Sequence, residues 1–279
     1  MTRLIVLGMA PLLSLALVLS GCSPKAQPET GQQAPVTKAM APEPDRTLTV
    51  FAGAAPKPGL DPLARRYEER TGVKVEITYG GSGAVLNQFA QEQFGDVYVP
   101  GSDDFMDKAE KKDAVLKETR TVLVYLVPVI NVPKGNPKGI KSVKDLTREG
   151  LRVVIGKPVT VCLGDIAQAV LEEEGVWQDL QPRLADYGTS CEAVLQSLLM
   201  GEADVVIGWD VFTRQHPDKL ESIPLKAKSA RPRNIPGAVI KWSKQPDAAR
   251  EFIDFLASEE AKSVWKEHGY TTEAPPAKP

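Results

Sequence analysis

Between Thr47 and about His268 the chain alternates short β-rich apolar runs with segments whose apolar residues recur at helical spacing. Leu48–Ala55, LTVFAGAA, predicts a strand that closes on small residues. Gly59–Gly72 follows with Leu60, Leu63, Ala64 and Tyr67 on one helical face. Val73–Gly80 predicts a second strand, again running into small residues in GGSGA. Val85–Phe94 then reads as a helix ahead of a third strand within GDVYVPG. Strands alternating with helices argue for an α/β fold, with mostly parallel sheets covered by helices on both faces.

The middle of the chain continues the pattern. Thr121–Val132 is one long apolar strand region, SVKDLTREG a short helix, and Leu151–Ile155 a buried strand. Helices are expected over Asp165–Glu174 and Cys191–Met200, with a strand over Ala203–Gly208 between the second helix and the next turn. The closing segment supplies a strand and two helices, with Phe252, Phe255, Leu256 and Trp265 as core.

In such sheets ligands bind beyond the carboxyl ends of the strands. Three small-residue loops fall on that edge: Ala52–Ala55, Gly80–Ala84 and Pro100–Ser102. Small side chains there let a ligand approach backbone N–H groups at helix starts, a natural setting for an anion. The same residues also serve simply to make tight turns.

Composition narrows the function. The 279 residues are 42% hydrophobic and 25% charged with a net charge of −2, enough chain for one large domain or two medium ones. There is no basic surplus, so nucleic acid is not an expected partner. The two histidines, His216 and His268, lie far in sequence from the glycine loops. No nucleophile–base pair emerges, so neither an enzyme nor a metal or cofactor site is expected. The acidic residues of GSDDFMDKAEKKD, including Asp103 and Asp104, read as a solvated helix face. Lys57, Arg231 and Arg233 are candidates for steering an anion.

Residues 1–21 carry Arg3, an uncharged run from Leu4 to Leu19, and then Ser20 and Gly21, the layout of a signal peptide. The ending LSGC resembles the lipobox of bacterial lipoproteins, which implies a lipid on Cys22 as the first mature residue. Residues 22–46, rich in Pro, Ala, Gln and Thr, then read as a flexible tether. The expected location is the cell envelope, exported and held to a membrane by that lipid.

LTVFAGAA, YEERTGVKVEITYGGSGAVLNQ and GDVYVPGSDDFMDKA together resemble the opening lobe of periplasmic molybdate- and tungstate-type solute-binding proteins, the receptors of ABC importers. DAAREFIDFLASEEAKSVWKEHGY resembles their terminal helices. The resemblance implies a two-lobed type II periplasmic-binding-protein fold closing on its ligand by a hinge. Lobe 1 would comprise 47–128 plus 234–279 and lobe 2 residues 129–233, with crossings near Val127–Val129 and Arg231–Pro236. Pro232 and Pro236 would flank and stiffen the hinge.

It further implies a monomeric receptor that hands a small solute, a molybdate-like oxyanion, to an inner-membrane permease. The alternatives are a sensing lipoprotein that presents its solute to a membrane signalling receptor, or a binder of a soft metal or thiophilic ligand through Cys162 and Cys191. Carried over loop by loop, the ligand-binding positions are Ala54, Ala55, Ser82, Gly83, Cys162, Leu163, Cys191 and Trp209. Ala55 stands where the family has a serine, and Trp209 where it has a tyrosine; an indole donates a hydrogen bond but accepts none.

With Cys22 lipidated, Cys162 and Cys191 remain as an even pair in an exported protein, which suggests a disulfide. It would close a loop of about 30 residues and contribute ~3 kcal/mol. A thiolate pair for a soft ligand, or two unpaired buried thiols, are the other readings.

Overall fold

The computed structural model describes residues 46–275. The expected signal peptide, the lipid site at Cys22 and all but the last residue of the tether lie outside the described residues.

Two five-stranded sheets organise the fold. The first contains β1 (Thr47–Gly53), β2 (Lys74–Gly80), β3 (Val97–Val99), β4 (Thr121–Leu126) and β10 (Arg233–Val239), in the order β2-β1-β3-β10-β4. The second contains β5 (Pro128–Pro133), β6 (Val153–Gly156), β7 (Asp186–Gly188), β8 (Val205–Trp209) and β9 (Leu220–Pro224), in the order β7-β6-β8-β5-β9. The helices are α1 (Lys57–Thr71), α2 (Ser82–Glu92), α3 (Asp103–Lys111), α4 (Cys162–Glu173), α5 (Trp177–Leu180), α6 (Cys191–Leu199), α7 (Asp210–Gln215), α8 (Pro246–Leu256) and α9 (Glu259–Glu267). Among the described residues no helix is long and apolar enough to cross a membrane.

Both sheets are mixed rather than mostly parallel. β1 pairs in parallel with β2 and β3, but β10 runs antiparallel to β3 and β4. In the second sheet β6 is parallel to β7 and β8, while β5 is antiparallel to β8 and β9. The reason is connectivity: β5 and β10 are the strands that enter after the chain passes between sheets, and each inserts against its neighbours' direction. The apolar run Thr121–Val132 is therefore two strands in different sheets. They separate at Val127, whose N–H donates to Asp210 Oδ1 at 2.9 Å and whose carbonyl accepts from Asp210 N–H at 2.9 Å.

The return passage is held by charge. Arg231 reaches Asp103 and Asp104 at 3.0 Å each, and Arg233 Nε meets Asp104 Oδ2 at 2.5 Å. Buried Arg233 also donates to the carbonyls of Arg231 and Ser229. The start of α3 is thus no solvated acidic face, and these arginines are engaged by carboxylates rather than held out for an anion.

The first helix and the last two share one core. Gly59 on α1 leaves room for Trp265 of α9, since a Cβ there would lie 2.4 Å from the indole ring. Tyr67 packs edge-on against Phe252 and at a tilt against Phe255 of α8, with centroids 4.9 and 5.4 Å away. This apolar burial seats the terminal helices against the first sheet.

At the base of the second sheet, Asp204 ties β6 to β8. It accepts from Arg152 N–H at 2.9 Å and from Nη2 at 2.7 Å, and these bonds hold its carboxyl below the usual carboxylate range. A depressed carboxylate stabilises the fold above its unfolded pKa, and that contribution fades as pH falls through the folded value. Asp204→Asn is therefore expected to cost about 1–3 kcal/mol at neutral pH. Denaturant titrations at descending pH should show wild type and variant converging below the ordinary carboxylate range; a pH-independent gap would refute the linkage.

Candidate functional site

Each strand that points at the gap between the sheets ends in residues that let backbones touch. In the first lobe the ends of β1, β2 and β3 meet directly: Gly101 N–H donates to Ser82 Oγ at 2.9 Å, and Ala54 N–H to Gly80 O at 3.0 Å. A Cβ on Gly53 would lie 2.7 Å from both Gly101 N and Ser82 Oγ. The three small-residue loops are one packed surface.

The second lobe presents the turn before α4, the start of α6 and the end of β8. Gly83 N–H donates to Thr160 O at 2.9 Å across the gap, and a Cβ on Gly81 would lie 2.4 Å from that same oxygen. The facing turn is strained, because Val159, a β-branched residue, adopts φ +69°. Its N–H is held by Asp165 Oδ1 at 2.5 Å, while Asp165 Oδ2 takes Lys108 Nζ of α3 at 2.5 Å. At the far end of the gap, Gln215 Nε2 of α7 donates to His268 O at 3.0 Å.

Within this contact sit two cysteine sulfurs. Cys162 and Cys191 are the first residues of α4 and α6, and their Sγ atoms are 3.9 Å apart. Both are free thiols in this structure, their sulfurs standing well beyond the about 2.05 Å of the expected disulfide. Either sulfur can donate in this contact; the bond to Cys162 holds the Cys191 thiol below its ordinary pKa, helped by the Trp209 indole and the Leu163 N–H. Cys162 is pushed up by the same bond and by burial, partly opposed by the Ser82 and Ser102 hydroxyls.

Two donors beside the sulfurs are conspicuously idle. Ser102 Oγ and Trp209 Nε1 are buried and make no hydrogen bond of ordinary geometry, although each lies close enough to a sulfur to favour its thiolate. Ser102 occupies the N-cap position of α3, where a serine usually bonds the helix backbone, yet its side chain does not cap. Such groups cost stability unless something accepts from them. With α2, α4 and α6 also starting here, the surroundings suit a small electron-rich ligand.

The sequence-derived positions divide. Ser82, Cys162, Leu163, Cys191 and Trp209 surround the sulfurs, all buried. Ala54 and Ala55 line an adjoining cavity of about 210 Å³ that reaches Asp61, Glu192 and His216. The N–H groups of Ala54 and Gly83 are already spent on Gly80 O and Thr160 O, so they are structural rather than free donors. Lys57, expected to steer an anion, pairs with Asp61 at 2.8 Å. Sequence reasoning placed Ser102 in a candidate loop but not among the binding positions, although a serine between a small-residue loop and two aspartates is an N-cap signature. It also missed Tyr270, whose hydroxyl donates to Ala55 O at 2.6 Å and whose pKa is raised by burial.

The family profile of bacterial extracellular solute-binding proteins matches residues 48–271. The chain belongs to that family. Among its relatives, the Escherichia coli molybdate-binding protein ModA is 24% identical over 234 residues, covering 80% of this chain and 88% of that protein. A Bacillus subtilis protein, YvgL, named as a candidate ABC transporter substrate-binding lipoprotein, is 26% identical over 264 residues, covering 94% and 96%. The Azotobacter vinelandii periplasmic molybdate-binding protein superposes with a TM-score of 0.68 at 21% identity, covering 81% of this chain and 99% of that one. The Mycobacterium tuberculosis sulfate-binding protein SubI gives 0.71 at 20% identity, covering 83% and 88%. These structural likenesses establish the two-lobed type II periplasmic-binding fold. They do not establish the ligand.

Because Gly81 abuts Thr160 O, Gly81→Ala is expected to obstruct closure rather than folding. The variant should keep the wild-type unfolding midpoint without ligand but bind any cleft ligand at least tenfold more weakly by calorimetry. An unchanged affinity would show that the contact is not part of the bound state.

Proposed function

We propose that this solute-binding protein is the lipid-anchored receptor of an ABC importer, and that it captures a small, molybdate-like oxyanion between its lobes for delivery to a permease. It performs no reaction on its cargo. The observation that carries this reading is the pair of buried, unsatisfied donors, Ser102 Oγ from one lobe and Trp209 Nε1 from the other. An oxyanion between them satisfies both at once, and only when the lobes are together. The names of the molybdate- and sulfate-binding relatives support the ligand class.

Titration with molybdate, tungstate, sulfate and phosphate, followed by Trp209 fluorescence and thermal unfolding, tests the ligand. At hundredfold excess over Kd the true ligand should stabilise the protein by about 2.7 kcal/mol. Trp209→Phe should weaken binding about tenfold or more, as expected for one lost donor to a charged group. Failure of all four anions to bind at millimolar concentration would refute the oxyanion reading.

The anchor is tested separately. Expressed in a bacterium, the full chain should partition with membranes and carry the mass of acyl chains on its first mature residue, Cys22. Cys22→Ala should be released in soluble form without that mass; a membrane-bound, unmodified wild type would exclude lipidation.

A further inference from the structure

The reading above leaves the two cysteines without a role, and their surroundings point to one. Cys162 and Cys191 come from different helix starts, yet their sulfurs stand 3.9 Å apart in the same contact as the idle donors. That separation is a thiol–thiol contact, and it brings both sulfurs within reach of one bridging atom. Thiolates select soft central atoms. The start of α6 favours thiolate character at Cys191, while Cys162 keeps its proton more tightly.

The remaining neighbours restrict what the bridging atom can be. Ser82 and Ser102 offer hydroxyls to the Cys162 side, and Trp209 and Leu163 offer N–H groups to the Cys191 side. Ser102 Oγ and Trp209 Nε1 lack an acceptor of ordinary geometry, and a bound species that carries oxygen supplies one where a bare soft cation does not. Among the described residues no cluster of three or more His, Cys, Asp or Glu side chains exists to complete a metal shell. A species that takes sulfur at its centre and still carries oxygen uses both halves of the site.

We infer that the Cys162–Cys191 dithiol makes this cleft a receptor for a thiophilic oxyacid, of which trivalent arsenic hydroxide is the type. The inference rests on the cleft being the solute site and assigns it a thiophilic oxyacid in addition to, or in place of, a molybdate-like anion. Binding is a condensation. Two S–As bonds form and two As–O bonds break; the two departing hydroxides leave as two waters, taking the two thiol protons. Arsenic stays trivalent, so no oxidant or reductant is needed. The hydroxyl left on arsenic accepts from the Trp209 indole or the Ser102 hydroxyl. Cys162 and Cys191 are only 1% and 3% exposed, and Cys162 Sγ lies 2.8 Å from where a Cβ on Gly101 would stand. Loading therefore takes place with the lobes apart, and closure covers the adduct.

The test uses the detergent-solubilised full-length protein, reduced with a phosphine, freed of reductant and titrated with sodium arsenite without air. One arsenic per chain should bind, and arsenic X-ray absorption should report two sulfur neighbours and one oxygen. Cys162→Ser and Cys191→Ser, with Cys191→Ala as a second replacement and circular dichroism as a folding check, should each weaken arsenite binding at least a hundredfold. Three oxygen neighbours, or affinity that survives loss of either cysteine, would overturn the inference. So would a wild type that binds no arsenite at millimolar concentration. Parallel titrations with molybdate and sulfate separate the two readings. Oxyanion binding without arsenite binding overturns the dithiol inference alone. Arsenite binding without oxyanion binding supports it and overturns the molybdate-like ligand. Binding of neither overturns both.

Discussion

Backbone has to meet backbone at the centre of this protein, and the meeting depends on positions that carry no Cβ. Gly53 and Gly101 let the loops after β1 and β3 touch Ser82, and Gly81 and Gly83 let the first lobe receive the Thr160 carbonyl. Once those contacts form, the amino ends of α2, α4 and α6 face a common point. The sulfurs of Cys162 and Cys191 and the indole of Trp209 are then buried without any one element being unusual. A methyl group at any of the four glycines would separate the groups that make the site, although none of the four touches solvent chemistry itself.

That closeness is held against strain. A β-branched residue in the left-handed region costs of order 1–3 kcal/mol, and Val159 is in that region with its side chain 71% exposed, so packing does not hold it there. What holds it is Asp165, which takes the Val159 N–H with one oxygen and Lys108 of the other lobe with the second. The turn's shape and the approach of the lobes are thereby coupled through one carboxylate. Parting the lobes removes the lysine and leaves the strained turn with a single partner.

Much of this was legible in the sequence, for identifiable reasons. Short apolar runs located the strands because most are buried on both faces, and helical spacing of apolar residues located the helices because each buries one face. The small-residue runs at 52–55, 80–84 and 100–102 marked the loops where backbones converge. Strand direction was not legible, since β5 and β10 have the same apolar content whichever way they run. Nor was the fate of individual N–H groups: Ala54 and Gly83 stand in the expected loops, but their donors are consumed by neighbours that sequence spacing does not reveal. The pairing of Arg231 and Arg233 with Asp103 and Asp104 joins residues more than a hundred positions apart, so each set looked like an independent charged patch. The distance between the two cysteines depends on how α4 and α6 pack on β6, and only the fold sets it.

The same pairings decide how the site can discriminate. Lys57 is matched by Asp61, and the arginines nearest the return passage are matched by α3, so none of these positive side chains is left over for a ligand. Negative charge in the cleft is offset by dipoles: helix starts, hydroxyls and one indole N–H. Dipoles act over short distances, so position matters more than total charge. Ser102 and Trp209 stand on different lobes, and a solute that reaches only one leaves the other buried and unsatisfied, a penalty of about 1–3 kcal/mol. On the proposed reading, a ligand is graded by whether it spans the lobes, which ties selection to closure in a single step.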